Sequence, residues 1–260
     1  MKDLAIAIRN YTKQNYKEVI NAIKIAGFKN VFIEWYNKDE KLQQDILNYV
    51  RKNELNIVFA HLGYQNPNSI WELGSDGDKE IDRYIKDIEI CKSNGIDIVV
   101  IHPTLHLDNP GMTEIGINRI KRLVAHAEKI NVKIAFENVE LPEYLKYIIE
   151  NIQSENLGVC FDAGHANVFS NKQFDTKLYK NKVFVIHLHD NYKLQDDHNM
   201  PFDGNVDWNL VVKQIKELNY NEYVILECGY QKLYENLSLQ EYYNLAYARG
   251  VYLRKVLENK

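Results

Sequence analysis

The chain has 260 residues, enough for one large domain with a substantial core. Its hydrophobic fraction of 45% and charged fraction of 26% are those of a globular protein, and its formal net charge of -4 argues against a nucleic-acid partner gripped by a broad basic face. The three cysteines, Cys91, Cys160 and Cys228, are sparse and far apart, and no apolar run reaches the length of a secretory leader or a membrane span, so a reduced, cytoplasmic setting is expected.

Short apolar runs alternate with amphipathic ones along the chain. Strands are predicted at 4–8, 31–36, 57–62, 97–102, 133–138, 157–163, 183–189 and 223–228, each rich in Val, Ile or Phe and almost continuously apolar, as buried parallel strands are. Between them the helical period recurs. Val19, Ile20, Ile23 and Ala26 set it over 16–26, and Ile81, Ile85, Ile88 and Cys91 over 81–91. The stretches 117–130, 210–218 and 239–257 repeat it. Gly27 and Gly95 follow helices as left-handed caps, Thr113 precedes one, and Ser238 with Glu241 three residues on forms a capping box.

No Pro/Gly/Ser-rich linker divides the chain, so residues 1–260 are expected to form one domain. Eight β units, each followed by an α unit, predict an α/β fold, a single (β/α)8 barrel of parallel strands. An open doubly wound sheet is the alternative.

Ionisable residues close these strands. The runs end in His61, His102, Glu137, Asp162, His187 and Glu227. Burying so many such groups is costly unless they pair or hold a cation. One polar residue at a strand end is ordinary; Glu137, Asp162, His187 and Glu227 at four matching ends point to a metal centre. Three carboxylates and an imidazole make an oxygen-rich donor set suited to Mn²⁺, Zn²⁺, Mg²⁺ or Co²⁺. Asp162 and His165 stand three apart, Asp196 and His198 two apart, spacings that let a turn aim both groups at one ion. With His61 and His102 on the other side, His61, His102, His165, Asp196 and His198 are candidates for a second metal cluster. His187 and His189 share one side of strand seven. His187 is taken as the ligand and His189 as a substrate contact.

The motifs Ala60-His61-Leu62-Gly63, Ile101-His102-Pro103, Phe136-Glu137-Asn138, Phe161-Asp162-Ala163-Gly164-His165, His187-Leu188-His189-Asp190-Asn191, Asp196-Asp197-His198, Asp203-Gly204-Asn205-Val206-Asp207-Trp208 and Leu226-Glu227 come in this order. Together they resemble the xylose isomerase-like barrel superfamily over nearly the whole chain. That superfamily holds sugar and sugar-phosphate isomerases and epimerases, and apurinic endonucleases of the endonuclease IV type. The resemblance implies a divalent metal on Glu137, Asp162, His187 and Glu227. It implies Glu137 and Glu227 as the catalytic pair, exchanging protons with a sugar or sugar phosphate from opposite faces. It also implies substrate contacts from His165. His189, Lys193, Asn138 and Trp35 are further candidate substrate contacts, with Tyr36, Tyr64 and Trp71 as neighbouring aromatics. A homo-oligomer is implied by resemblance alone.

In the trinuclear endonucleases all nine positions matching His61, His102, Glu137, Asp162, His165, His187, Asp196, His198 and Glu227 are ligands. This keeps a multi-metal phosphoesterase as the alternative. The acidic balance and the scarcity of Arg between Arg122 and Arg249 favour the sugar reading. Two departures bear on the substrate. Asn199-Met200-Pro201-Phe202 stands where relatives often carry a Pro-Pro-Gly-Glu-Gly-like turn, and Asp203 in place of Glu shortens any group reaching the substrate.

Overall fold

Alternation of strand and helix holds throughout the computed structural model, which describes residues 1–9, 15–35, 39–105, 110–169 and 174–259. The strands are β1 (Leu4–Ile8), β2 (Asn30–Trp35), β3 (Asn56–Leu62), β4 (Ile98–Ile101), β5 (Lys133–Glu137), β6 (Leu157–Asp162), β7 (Val183–His187) and β8 (Val224–Leu226). After them come α1 (Tyr16–Ala26), α2 (Glu40–Lys52), α3 (Asp76–Ser93), α4 (Glu114–Ile130), α5 (Pro142–Asn151), α6 (Ala163–Val168), α7 (Trp208–Glu217) and α8 (Leu239–Glu258). Each predicted strand is found within about two residues of its expected bounds. Helices α2, α5 and α6 complete the set beyond those that periodicity singled out.

The strands pair in the order β7-β6-β5-β4-β3-β2-β1-β8, all parallel. Closure between β7 and β8 rests on a parallel bridge from Leu188 to Leu226, with Leu188 N donating to Ile225 O at 2.9 Å and Glu227 N to Leu188 O at 3.1 Å. The result is a (β/α)8 barrel rather than an open sheet. No helix among the described residues is long and apolar enough to cross a membrane.

Helix ends follow the expected chemistry. Gly27 closes α1 at φ 109°, and Thr113 Oγ1 accepts from Gly116 N at the start of α4. Ser238 and Glu241 form the complete capping box of α8. Such caps contribute about 1 kcal/mol each, so they set where helices begin more than whether the barrel stands.

Apolar burial stabilises the barrel far more, by roughly 1.5–3 kcal/mol for each fully buried Leu, Ile, Val or Phe. It falls in two shells. One lies between sheet and helices. The other fills the barrel interior with Ala5, Ala7, Phe32, Phe59, Val100, Ala135, Cys160, Val185 and Ile225. Phe32 and Phe59 stack on each other at 4.4 Å, and the His187 ring stacks on both, at 5.4 and 5.5 Å. This inner plug is the floor of the site.

Candidate metal centre

Side chains alternate across a strand, so the residue two positions beyond an inward apolar residue faces inward again. Applied to the plug, this one step builds the site. Beyond Ala7 stands Arg9, beyond Phe32 Glu34, beyond Phe59 His61, and beyond Val100 His102. Beyond Ala135 stands Glu137, beyond Cys160 Asp162, beyond Val185 His187, and beyond Ile225 Glu227. All lie at the C-terminal ends of the strands, the functional face of this architecture.

Glu137 is the hub. His61 Nε2 and His102 Nε2 each lie 3.0 Å from its Oε2, and His187 Nδ1 lies 2.8 Å from its Oε1. His187 Nδ1 is also 3.1 Å from Glu227 Oε2 and 3.6 Å from Asp162 Oδ2. Ligand atoms of Glu137, Asp162, His187 and Glu227 all fall within 4.8 Å of one another, the four residues the sequence set apart. Asp162 is held by its neighbours: its Oδ1 caps α6 by accepting from His165 N, and both its backbone polar groups bond the Asn138 amide.

The remaining donors flank this core. His165 Nε2 lies 3.2 Å from Asp196 Oδ2, as does His198 Nδ1, and His198 Nε2 lies 3.6 Å from Glu227 Oε2. His189 Nε2 lies 3.1 Å from Asp162 Oδ1, and its ring stacks on His198 at 4.2 Å. Within 4.8 Å the ligand atoms also group as His61, Glu137 and His187; as Asp162, His165 and His189; and as His189, Asp196 and His198. The five residues expected as one second cluster thus divide between two sides of the core four, and His189 joins the Asp196 side.

Electrostatics are strongly coupled. Burial by itself would raise the Glu137 carboxyl; the His187 imidazole and hydrogen bonds from His102, His187 and His61 outweigh it and hold Glu137 well below the usual range. Asp162 and Glu227 are also held well below theirs against burial, Asp162 by His165 and His189, Glu227 by His187 and His198. Burial works against charge on the rings too, yet His187 and His165 are raised well above the ordinary imidazole value, His187 by Cys160, Glu227 and Glu137 and His165 by Asp162 and Asp196. His102 goes the other way, lowered by desolvation.

A divalent cation fits this donor set. Glu227 Oε2 and Asp196 Oδ1 are buried with ring nitrogens near them at 3.1–3.6 Å but with no contact of hydrogen-bond geometry, an expensive condition for carboxylate oxygens. Coordination would satisfy both, with the imidazoles neutral.

A narrow cavity of about 90 Å³ opens above, lined by Arg9, Glu34, His61, Tyr64, His102, Glu137, His165, Asp196, His198 and Glu227 among others. Tyr64 stacks on His102 at 5.0 Å. Several residues expected at the substrate lie elsewhere. Trp35 is the outward neighbour of Glu34 and is buried in the shell against the helices. Trp71 is buried, donating from Nε1 to Pro103 O. Asn138 spends its amide on Asp162, and His189 is fully buried and absent from the lining. Lys193 is exposed, outside the lining. Asp203 reaches no substrate cavity but pairs with Arg249 Nη1 at 2.6 Å and accepts from Tyr234 Oη at 3.0 Å. Tyr36 lies outside the described residues. Sequence reasoning missed Arg9 and gave Glu34 no role; the two-residue step from Ala7 and Phe32 was the available signal.

The sequence model of the xylose isomerase-like TIM barrel family matches residues 14–244, and the chain belongs to that family. It is 32% identical over 147 residues to an uncharacterized protein of Methanocaldococcus jannaschii, a match covering 50% of each. It is 29% identical over 147 residues to a probable endonuclease 4 of Citrifermentans bemidjiense, covering 46% of this chain and 50% of that protein. The chain thus spans about half the length of the curated relatives it matches. Among solved structures, a D-psicose 3-epimerase of Clostridium cellulolyticum H10 superposes with a TM-score of 0.77 at 13% identity, covering 100% of both chains. A D-tagatose 3-epimerase-like protein gives 0.73 at 22% identity, covering 99% of this chain and 97% of the other. At these identities the likeness is one of fold.

Proposed function

We propose that this protein is a metal-dependent isomerase or epimerase of a sugar or sugar phosphate. One observation carries the reading. All four core donors are buried, but only Glu137 and Glu227 line the cavity, Asp162 and His187 lying behind them. Two carboxylates in the wall of one cavity, from strands three apart round the barrel, suit proton transfer on two sides of a carbon.

A divalent ion held by Glu137, Asp162, His187 and Glu227 would supply Lewis-acid polarisation of a substrate carbonyl or hydroxyl. The protein's own groups do the rest. One glutamate, kept anionic by its imidazole neighbours, takes the proton from the carbon beside the carbonyl. The other, entering the reaction as the carboxylic acid, gives its proton either to the same carbon from the opposite face or to the adjacent carbon and is left as the carboxylate, and solvent resets the pair. His165, at the cavity wall, meets a sugar oxygen. The experiment is incubation of metal-loaded protein with free ketoses and their phosphates in D₂O. Deuterium at the carbon beside the carbonyl is expected, and its absence across a broad panel sinks the reading.

A second reading has its own support. His61, His102, His165, Asp196 and His198 crowd the same cavity, giving donors for more than one ion, and one relative carries the description of a probable endonuclease 4. Clustered ions suit phosphoester hydrolysis. Incision of an abasic-site duplex with Zn²⁺ or Mn²⁺ present tests its DNA form, which no incision removes, and a count of one bound ion rather than three counts against the hydrolase as a whole.

A further inference from the structure

The ring of strand ends is not uniform. From β2 to β8 every last inward position carries an acid or a histidine able to ligate a metal. On β1 alone the position carries a base, Arg9, beside Glu34 on β2. Arginine stays protonated and offers no lone pair to a cation. Arg9 is therefore the part of this tier unsuited to a metal, and by strand order β1 stands opposite β5, which carries Glu137.

Arg9 Nε lies 3.1 Å from Glu34 Oε1, with side chains only 17% and 15% exposed. Arg9 Nη1 also reaches Glu227, 3.4 Å from its backbone O and 3.7 Å from Oε1. The pair borders the same cavity as the two glutamates. Placing an ion pair at this depth carries a desolvation cost that a merely structural contact seldom recovers.

Building on the reading of this cavity as sugar-acting, we propose that Arg9 and Glu34 hold the hydroxyl groups of the substrate's uncharged, non-reacting end. A guanidinium only donates and a carboxylate only accepts, whereas each sugar hydroxyl does both. Side by side, the two match neighbouring hydroxyls in opposite senses. An anionic end fares worse. A phosphate or carboxylate drawn to Arg9 meets the Glu34 charge beside it and Glu227 within 4 Å of the same guanidinium. Lys193, a basic candidate substrate contact in the sequence, stands exposed outside the cavity lining. Contact with Glu227 ties the holding pair to the proton-transfer pair, so occupancy of one end bears on the placement of the other.

The test uses the full chain loaded with Mn²⁺, titrated calorimetrically with xylitol and sorbitol as non-reacting polyols and with inorganic phosphate as the anion. Glu34→Gln and Arg9→Gln are expected to weaken polyol binding about tenfold or more, the scale of one hydrogen bond to a charged group. Bound manganese should stay as in the parent, which separates loss of the holding pair from loss of the metal centre. Arg9→Lys, which keeps charge but loses the planar fork, should recover only part of the affinity. Three results overturn the proposal: no polyol binding by the parent, polyol binding unmoved by both Gln variants, or tight phosphate binding abolished by Arg9→Gln. If polyol binding depends on Arg9 and Glu34 while no ketose takes up deuterium, the isomerase reading falls and this one stands.

Discussion

The imidazole of His189 occupies the space that a side chain at position 164 would need. A β-carbon on Gly164 would fall inside contact distance of Cε1, Nδ1 and Nε2 of that ring. His189 can therefore reach Asp162 only because α6 begins Ala163-Gly164-His165. Gly164→Ala is expected to destabilise the protein by about 1–3 kcal/mol or more through overpacking. It should also weaken metal binding, because the ring that bonds Asp162 must move. Urea unfolding and a metal titration check it; parent-like values for both would show that the ring has room to shift.

Neutralising the glutamates separates chemistry from folding. Glu137→Gln and Glu227→Gln preserve shape, and each should lower deuterium exchange by about 10²–10⁴-fold, the usual contribution of a positioned acid or base. Glu137→Gln should lose more metal affinity than Glu227→Gln, since three imidazoles converge on Glu137. Exchange assays with elemental analysis decide the matter. A glutamine variant retaining full exchange would remove that residue from the catalytic pair.

Metal removal should cost stability as well as activity. Binding to the folded state alone stabilises by about 2.7 kcal/mol when free ion is a hundredfold above its dissociation constant. Chelation should therefore lower the thermal midpoint by several degrees, and added Mn²⁺ or Zn²⁺ should restore it. His187→Ala should abolish the response, because His187 lies within 4 Å of Glu137, Asp162 and Glu227 alike. A chelator-insensitive midpoint would count against a tightly held ion.

The pH dependence follows from the shifts. Glu137, Asp162 and Glu227 are held below their ordinary values, so in metal-free protein they contribute stability above about pH 4 that is lost as pH falls through their folded values. His165, His187 and His189 are held above theirs. Their contribution is complete below about pH 6.5 and is lost as pH rises through the folded values. Metal-free protein should be most stable in mildly acidic solution. Cation binding expels those imidazole protons, so the gap between loaded and metal-free midpoints should widen from pH 5 to pH 8. Calorimetry with and without Mn²⁺ measures the gap; a constant gap would mean that the imidazoles bind no cation.

Much of this was legible in the chain. A strand buried on both faces must be apolar throughout, so the eight runs announced themselves, and an ionisable residue closing such a run has few uses other than a site. Glu137, Asp162, His187 and Glu227 stood out for that reason. Substrate contacts did not. Trp35 beside Glu34, Asn138 beside Glu137 and Lys193 in its loop carry suitable chemistry, but a single-residue step along a strand turns a side chain to the opposite face.

Local order alone dictated the number of strands, where the helices start and which residue types end each run, because hydrophobic periodicity and capping act within a few residues. Closure of the barrel decided the remainder: that Arg9 faces Glu34 across β1 and β2, that Trp35 lies in the outer shell, and that His189 reaches Asp162 over Gly164. Those relations join residues distant in the chain, and nothing short of β7 meeting β8 brings all the strand ends round one cavity.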